Sequence, residues 1–349
     1  MNKILGEFEK QKYTMFLFPY REDVWRRHAK PIQQVIVDLA NIVAKYEPVI
    51  LGVLPRLKDY LLSHFKLDKN VIVVPMDYND AWPRDSVSNV VFDENNKPFI
   101  YSYGFNAYGD HLYYPWDDDE RLDEQLADFL GYPLKQSPIT TEGGNMVSDG
   151  NGTLFVVEDA LFNDNRNPNM SKEEIAMHLK ESTGCSQIIW IPRGLDYDET
   201  GGHIDNILAF KDTHTMLLSW TDDPKNEHYE RVREIEKVLL DVKNIKGEKY
   251  TIIHLPVPRV TFRNEEDCKD IISEDGSFPR QVGDPVLNTY VNIILANGVV
   301  IVPKYDLPED EQAYLILKEV FKDRDVIQYD GKEASLGGGC FHCLSKHIN

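Results

Sequence analysis

Cysteine is scarce in this sequence of 349 residues, and long apolar segments are missing. The four cysteines are too few and too scattered to form the disulfide framework of a secreted protein. No apolar stretch approaches the ~20 residues that a membrane helix needs, and the charged residues 1–23 lack the apolar core of a signal peptide. We therefore expect a cytoplasmic protein whose thiols are reduced.

Positive charge is also in short supply. The chain has 38 Lys and Arg against 58 Asp and Glu, which gives a formal net charge of −20. Nucleic acids and anionic membranes attract basic surfaces, so we expect neither as a partner. A cationic small molecule would instead be drawn toward such a field. The charge favours a cationic substrate, although solubility alone would also account for it.

Several common catalytic and binding motifs are absent. The sequence lacks the Gly-x-Ser-x-Gly of serine hydrolases, the Gly-x-Gly-x-x-Gly of dinucleotide-binding folds and the P-loop. It also lacks a Pro-, Gly- or Ser-rich linker that would divide the chain. We therefore predict a single catalytic domain over residues 1–349.

The sequence does contain a unit that recurs five times. Each unit has a strand, a polar or Gly-containing turn and a second strand, followed by an amphipathic helix and a further strand. The turns of the first four units lie at residues 93–96, 149–152, 211–214 and 297–298. The fifth unit opens at Gly337 and the chain stops within a few residues. We therefore expect the two chain ends to meet and close a ring.

The stretches between these hairpins have helical periodicity. Apolar residues recur three to four positions apart, as in Leu122, Leu126 and Phe129. Units at a spacing of roughly 50 to 90 residues favour a propeller-like α/β array. A single open α/β sheet is the alternative, but the hairpins argue against it because a doubly wound parallel sheet joins its strands through helices.

Polar residues cluster where the first strand of each unit begins. If the units surround an axis, these clusters converge on one pocket. His203 and Asp205 are two residues apart, and on a strand both side chains would leave the same face. Any one of these residues could be an ordinary turn residue or a satisfied buried polar group, so the prediction rests on five equivalent positions. The clusters are Trp82-Pro83-Arg84-Asp85, Glu142-Gly143-Gly144-Asn145, residues 198–205, Tyr290-Val291-Asn292 and residues 337–343.

These residue types suit a small guanidinium compound. A guanidinium is planar, charged and rich in N–H donors, and carboxylates such as Asp85, Glu142 and Asp205 would hold it in a fork geometry. The ring of Trp82 would lie against the cation or its methylene chain. A cysteine thiolate would attack the central carbon, while His203 would protonate the departing ammonia and then activate water. The cluster therefore predicts cysteine-dependent deimination.

Cys340 and Cys343 form a Cys-x-x-Cys that admits other chemistry. With His342 or His347 they could bind zinc, but no second ligand pair stands at a zinc-site spacing, so we expect no metal. The pair could also be a redox dithiol, although thioredoxin-type motifs lie at a helix start. A reversible Cys340–Cys343 disulfide that switches the enzyme off is a further hypothesis.

Ordered motifs span nearly the whole chain, starting at Gly6-Glu7-Phe8-Glu9. The most specific of them are Asn79-Asp80-Ala81-Trp82-Pro83-Arg84-Asp85, Phe105-Asn106-Ala107-Tyr108-Gly109, Tyr114-Pro115-Trp116-Asp117, Asp198 to Asp205, and Gly337-Gly338-Gly339-x-x-His342-Cys343. Through these motifs the sequence resembles the agmatine deiminases, guanidine-modifying enzymes of the pentein superfamily.

The resemblance implies a five-bladed α/β propeller and the hydrolysis of agmatine to N-carbamoylputrescine and ammonia without metal or organic cofactor. By motif position, Cys343 is similar to the nucleophile and His203 to the general acid/base. Asp85 and Asp205 are similar to the guanidinium clamps. A homo-oligomer is also expected. The resemblance further implies substrate-contact or pocket positions at Trp82, Glu142, Glu199 and Asn292.

The chain departs from the family pattern near these positions. One departure bears on the substrate, because the positive Lys346 stands where the family usually has glutamine. We expect Lys346 near the pocket rim, where it would repel the amine of agmatine and favour a carboxylate. The other departures are Ser86-Val87-Ser88 for the usual x-Gly-Pro, Cys340-Phe341 for Asn-Ile, Ser345 and His347 for Thr and Gln, and Phe16 and Phe18 where tryptophan is common.

Other functions remain open from the sequence. A different guanidino substrate, such as arginine or a guanidino acid, is the first alternative to agmatine. An amidinotransferase would use the same covalent intermediate but pass it to an amine. A propeller that only binds ligands is the third, although a binding role does not need the set of Cys343, His203 and carboxylates.

Overall fold

The protein is described by a computed structural model that covers residues 2–349. Its strands, numbered in chain order, are β1 Tyr13–Leu17, β2 Val49–Val53, β3 Val71–Pro75, β4 Val90–Phe92, β5 Pro98–Gly104, β6 Leu134–Thr140, β7 Val147–Ser148, β8 Thr153–Val157, β9 Gln187–Ile191, β10 Leu208–Phe210, β11 Thr215–Trp220, β12 Thr251–Pro256, β13 Thr261–Phe262, β14 Pro285–Val286, β15 Ile294–Ala296, β16 Val299–Lys304, β17 Asp325–Asp330 and β18 Lys346–Ile348. The helices are α1 Lys30–Val43, α2 Lys58–His64, α3 Pro83–Ser86, α4 Ala107–Asp110, α5 Asp117–Glu120, α6 Leu122–Leu130, α7 Glu158–Leu161, α8 Lys172–Thr183, α9 Tyr229–Asp241, α10 Asp310–Val320 and α11 Lys332–Leu336.

Four of the sheets repeat one arrangement of three strands. Their orders are β4-β5-β6, β7-β8-β9, β10-β11-β12 and β15-β16-β17. In each, the first two strands are antiparallel and the second and third are parallel. A parallel pair needs a crossover, and α6, α8, α9 and α10 supply it in turn. The predicted unit of hairpin, helix and strand is therefore confirmed in all four.

The fifth sheet joins the two ends of the chain. Its order is β18-β1-β2-β3. β18 is antiparallel to β1, with Tyr13 opposite Ile348 and Met15 opposite Lys346, and β1 and β2 are parallel. The return strand missing from the C-terminus is thus supplied by the N-terminal segment. The prediction that the two chain ends meet is confirmed.

Several central strands are continuous apolar segments in the sequence because they are buried on both faces. The five residues of β2 and the five of β8 are all buried, as expected for strands covered on both faces. The amphipathic helices cover the sheets, and α8 begins at a capping box in which Ser171 and Glu174 exchange hydrogen bonds. None of the helices within residues 2–349 has the length and apolarity to cross a membrane.

The polar clusters lie in short helical turns just before the first strands, and not on the strands themselves. Asp85 belongs to α3, ahead of β4, while residues 143–145 and 204–206 form single 3₁₀ turns ahead of β7 and β10. The expectation that His203 and Asp205 lie on one strand was therefore wrong. The carboxylate of Asp198 accepts hydrogen bonds from the His203 backbone N–H and the Asn206 amide, and such local bonds favour a turn over a sheet ladder.

Candidate active site

The turns bring a thiol, an imidazole and carboxylates into one buried centre. His203 Nδ1 lies 3.6 Å from Asp85 Oδ1, and Cys343 Sγ lies 3.7 Å from Asp205 Oδ2. Gly144 packs against Asp85 and His203, since a Cβ on this glycine would come within 2.6 Å of both Asp85 Oδ1 and His203 Nδ1. Only glycine fits this position. The prediction that distant segments converge on one centre thus agrees with the geometry.

Two of the carboxylates have one oxygen tethered and one without a partner. Asp205 Oδ2 accepts a hydrogen bond from His342 Nδ1 at 2.7 Å, and Glu142 Oε1 accepts one from Arg166 Nε at 2.7 Å. Asp205 Oδ1 and Glu142 Oε2 are buried and have no hydrogen-bond partner within residues 2–349. Buried polar atoms are nearly always hydrogen-bonded. These two acceptor oxygens suit a ligand that carries N–H donors, and Glu142 Oε2 also lies 3.7 Å from His203 Nε2.

Asp85 is held on both oxygens. Oδ1 accepts the backbone N–H of Gly144 at 2.8 Å, and Oδ2 accepts the hydroxyl of Tyr108 at 2.9 Å. Burial raises the pKa of Asp85, whereas the neighbouring His203 lowers it. These bonds fix the direction of the carboxylate and leave lone pairs for a further donor.

His203 is placed to carry a proton. It is 1% exposed, and neither ring nitrogen has a hydrogen-bond partner in the described part of the chain. Its Nε2 lies 3.7 Å from Glu142 Oε2. Burial alone would lower the pKa of His203, but the carboxylates of Asp85 and Glu142 raise it to about 9. The ring is therefore an imidazolium at neutral pH, as a general acid must be.

Cys343 is protonated in the free protein. Burial and the negative charges of Asp205 and Asp85 raise the pKa of its thiol well above the ordinary range. Asn292 directs the sulfur, because its Nδ2 lies 3.2 Å from Sγ while its Oδ1 accepts the backbone N–H of His342 at 3.0 Å. A cation entering the centre would favour the thiolate.

A narrow inner cavity borders the thiol. It has a volume of about 20 Å³, room for about one water molecule, and is lined by Trp82, Asp85, Tyr108 and Cys343 among others. The indole N–H of Trp82 donates to Asp80 Oδ2 at 3.1 Å, and its ring packs on Trp25 with centroids 5.3 Å apart. The indole is therefore held rigidly as one wall of the cavity.

A larger outer cavity of about 730 Å³ adjoins the inner one. The two share Tyr108, Glu199 and Thr200 in their linings. Glu199, predicted to contact substrate, is not free there, because both of its oxygens accept hydrogen bonds from Arg280 at 2.8 and 2.9 Å. Arg280 comes from the segment between β13 and β14. The pair stands at the boundary between the two cavities.

Lys346 does not lie at the pocket rim, contrary to expectation. Its side chain is 0% exposed, and Nζ lies 3.4 Å from the carbonyl oxygen of Arg84. A Cβ on Gly143 would come within 2.8 Å of Nζ, so the ammonium lies between the turns that carry Asp85 and Glu142. It does so because β18 turns this side chain inward in the fifth sheet. Lys346 therefore gives no reason to expect a carboxylate-bearing substrate.

Cys340 lies apart from the inner cavity. Its Sγ accepts the hydroxyl of Tyr305 at 3.1 Å, and burial raises the pKa of its thiol to about 12. No group of three or more His, Cys, Asp and Glu within residues 2–349 is arranged to hold a metal ion. The Cys340–Cys343 disulfide and the absence of a metal or organic cofactor stay predictions.

Four of the eight predicted site residues line the inner cavity: Trp82, Asp85, Glu199 and Cys343. The other four lie behind them, with Asn292 and Asp205 beside Cys343 and His203 between Asp85 and Glu142. Sequence reasoning missed three supporting residues: Tyr108, Arg166 and His342. Tyr108 and His342 do occur in the family motifs, next to recognised positions. Arg166 stands in a loop without such a signal, and only the fold brings it to Glu142.

Proteins of known family resemble this chain over nearly its whole length. The model of the Porphyromonas-type peptidyl-arginine deiminase family matches residues 3–348. The agmatine deiminase of Pseudomonas fluorescens is 35% identical over 346 residues, which cover 98% of this chain and 94% of that protein. That of Pseudomonas aeruginosa is 34% identical over 346 residues, with the same two coverages. A solved structure of agmatine deiminase from Enterococcus faecalis superposes with a TM-score of 0.94 at 28% identity, covering 99% of this chain and 95% of that one. The predicted fold class, an α/β pentein, is confirmed, and the five sheets are consistent with the predicted five-bladed propeller.

Proposed function

Since the chain belongs to the agmatine deiminase family of Porphyromonas-type peptidyl-arginine deiminases, we propose that it hydrolyses agmatine to N-carbamoylputrescine and ammonia. One observation carries the proposal. A protonated imidazole and a thiol share a buried centre with carboxylates, and two carboxylate oxygens, Asp205 Oδ1 and Glu142 Oε2, have no hydrogen-bond partner within residues 2–349. A guanidinium supplies N–H donors in a planar arrangement that carboxylate oxygens can accept.

Binding comes first and changes the charge of the sulfur. The flat cation lies against Trp82 and donates N–H bonds to Asp85 and Asp205, as bidentate carboxylate recognition requires. Its positive charge offsets the two carboxylates that raise the pKa of the Cys343 thiol. The thiol then loses its proton to solvent. Activation of the nucleophile is thus coupled to the arrival of a cation.

The first chemical step forms a carbon–sulfur bond. The thiolate of Cys343 attacks the guanidinium carbon and gives a tetrahedral intermediate. His203 donates its proton to one terminal nitrogen, the carbon–nitrogen bond breaks and ammonia leaves. The product of this half-reaction is a thiouronium linked to Cys343. The imidazole is then neutral.

The second step returns the enzyme to its starting state. Neutral His203 accepts a proton from water, and the resulting hydroxide adds to the thiouronium carbon. The carbon–sulfur bond then breaks, and the ureido group of the product forms as the sulfur regains a proton. One water is consumed, one ammonia is released and no electron is transferred.

The other features proposed for the protein follow from the family and the fold. We propose that residues 1–349 act as one catalytic domain, which the pairing of β18 with β1 supports. A homo-oligomeric state is proposed from the resemblance, and a cytoplasmic location from the few, scattered cysteines and the lack of long apolar segments. The strongly acidic chain, with its net charge of −20, suits a cationic substrate.

The test is a panel of guanidino compounds at equal concentration with ammonia as the readout. Agmatine, arginine and a guanidino acid separate a cationic from an anionic tail. We expect agmatine to give the highest kcat/KM. Turnover of arginine alone would reject the substrate, and no turnover of any compound would reject the enzyme proposal. Adding a primary amine to the assay distinguishes an amidinotransferase, which would form a new guanidine.

A further inference from the structure

The imidazole of His342 bridges two carboxylates that are far apart in the sequence. Nδ1 lies 2.7 Å from Asp205 Oδ2. Nε2 lies 2.8 Å from Glu7 Oε2, across a separation of 335 residues. An ionised carboxylate accepts hydrogen bonds and donates none. Both ring nitrogens therefore carry hydrogen, and His342 is an imidazolium.

Glu7 is the anchor of a buried group of charged side chains. Besides His342, it contacts the guanidinium of Arg84 and Nδ1 of His347 at 2.6 Å. Burial would raise the pKa of Glu7, but Arg84, His342 and His347 bring it well below the ordinary range. The charge on Glu7 is thus stabilised by partners from two of the five turns and from β18.

The charged groups that face His342 have opposing effects on its pKa, and together they favour the protonated ring. Burial and the cation of Arg84 lower the pKa of His342, whereas Glu7 and Asp205 raise it, and the net shift is upward. His347 stands on the far side of Glu7. Burial lowers the pKa of His347 to about 4, so that ring is neutral and adds no second cation.

We propose that His342, anchored by Glu7, is a positioning residue that fixes the orientation of Asp205 for the substrate guanidinium. This inference rests on the proposed function. By holding Oδ2, the imidazole leaves Oδ1 as the buried oxygen of Asp205 that has no partner within residues 2–349. The backbone N–H of His342 is also bound by Asn292, the residue that directs the sulfur of Cys343. One residue thus orients both a clamp and the nucleophile.

His342 acts through Asp205 because both of its ring nitrogens are already engaged. Nδ1 is bound to Asp205 Oδ2 and Nε2 to Glu7 Oε2, so the imidazole has no ring N–H left for the substrate. Without the imidazolium, Asp205 would be free to turn toward the Cys343 thiol, 3.7 Å from Oδ2. The N-terminal segment that carries Glu7 therefore supports catalysis from the opposite side of Asp205.

The experiment compares three test variants and one control variant with the wild type on agmatine. His342→Phe removes both bonds, and we expect kcat/KM to fall roughly 100-fold with most of the loss in kcat, because misplacing a clamp by about 1 Å has that effect. His342→Asn can still donate to Asp205, and we expect it to recover roughly tenfold. Glu7→Gln should give an intermediate loss. His347→Gln is the matched control, because His347 contacts Glu7 without reaching Asp205.

Folding and charge are measured separately. Circular dichroism and thermal unfolding show whether each variant keeps its fold. Imidazole ¹⁵N spectra should show a doubly protonated His342 at pH 7 in the wild type and a lower His342 pKa in Glu7→Gln. This measurement needs no substrate, so a neutral His342 would overturn the inference even in an active enzyme.

Three outcomes distinguish failure of the positioning role of His342 from failure of the proposed function. Equal losses in folded His342→Phe and His342→Asn would overturn the positioning role, and so would wild-type kcat/KM in His342→Phe. A charged His342 in a wild type that turns over no guanidino compound would instead reject the proposed function.

Discussion

Replacing Lys346 with glutamine should change how the stability of the protein depends on pH. The ammonium is fully buried, and the contact we find for it is a long one to the carbonyl of Arg84. It faces the cation of Arg84 and the carboxylates of Glu7, Asp123 and Asp85. Burial, reinforced by Arg84, lowers the pKa of Lys346 to about 7. Glutamine is the usual family residue and does not titrate.

The size of the effect follows from linkage. In the unfolded chain a lysine has a pKa of about 10.4, so between pH 7 and 10 the unfolded state binds a proton that the folded state lacks. Stability rises with pH wherever the unfolded state binds more protons, by about 1.4 kcal/mol per pH unit. Over three units the wild type should gain about 4 kcal/mol relative to the variant. At pH 7 the variant should be the more stable protein.

The assay is denaturant unfolding of the wild type, Lys346→Gln and Lys346→Met at pH 7, 8, 9 and 10. The free energy difference between the wild type and either variant should change steadily over this range, and the two variants should run in parallel. Below pH 7 the difference should level off, because the lysine is then charged in both states. A difference that stays constant from pH 7 to 10 would refute the reasoning, since it would mean that Lys346 keeps its proton when buried.

Three further predictions concern the chemistry. Cys343→Ala should abolish product while circular dichroism shows an intact fold, and substantial residual turnover would mean another nucleophile. Asp205→Asn should lower kcat/KM by about 10²- to 10³-fold, as for loss of a preorganised group that stabilises charge; near-normal kinetics would remove it from the clamp. In Glu142→Gln, the fall of kcat on the basic side of its pH profile should occur at a lower pH than in the wild type. The reason is that one of the two carboxylates that raise the His203 pKa to about 9 is lost. An unmoved limb would contradict the general-acid role of His203.

Local signals in the sequence were sufficient for the repeating unit. Turns such as Asn297-Gly298 and helix patterns such as that of α6 are set by neighbouring residues, and the structure has them at the predicted places. Closure of the ring was also predictable, because a unit that opens at Gly337 without a return strand needs a partner from elsewhere. Once the units surround an axis, equivalent turns must meet, which is why the site residues could be named.

The errors have a common physical origin in contacts between distant segments. Nothing near Glu199 in the sequence indicates that Arg280 occupies its carboxylate. Similarly, the inward direction of Lys346 depends on the pairing of β18 with β1. His203 and Asp205 were placed on a strand because alternation was the available rule, whereas Asp198 folds the segment into a turn. Residues 1–349 as one domain, and the homo-oligomer, stay predictions.

The central claim is that Cys343 attacks the guanidinium carbon while Asp85 and Asp205 hold the cation. The most direct test is to quench the enzyme during turnover of agmatine and measure the mass of the peptide that carries Cys343. We predict an increase equal to agmatine less ammonia on Cys343, lost again as product forms and absent in Cys343→Ala. Steady turnover with the peptide unmodified at every quench time, and the same product from Cys343→Ala, would contradict the account.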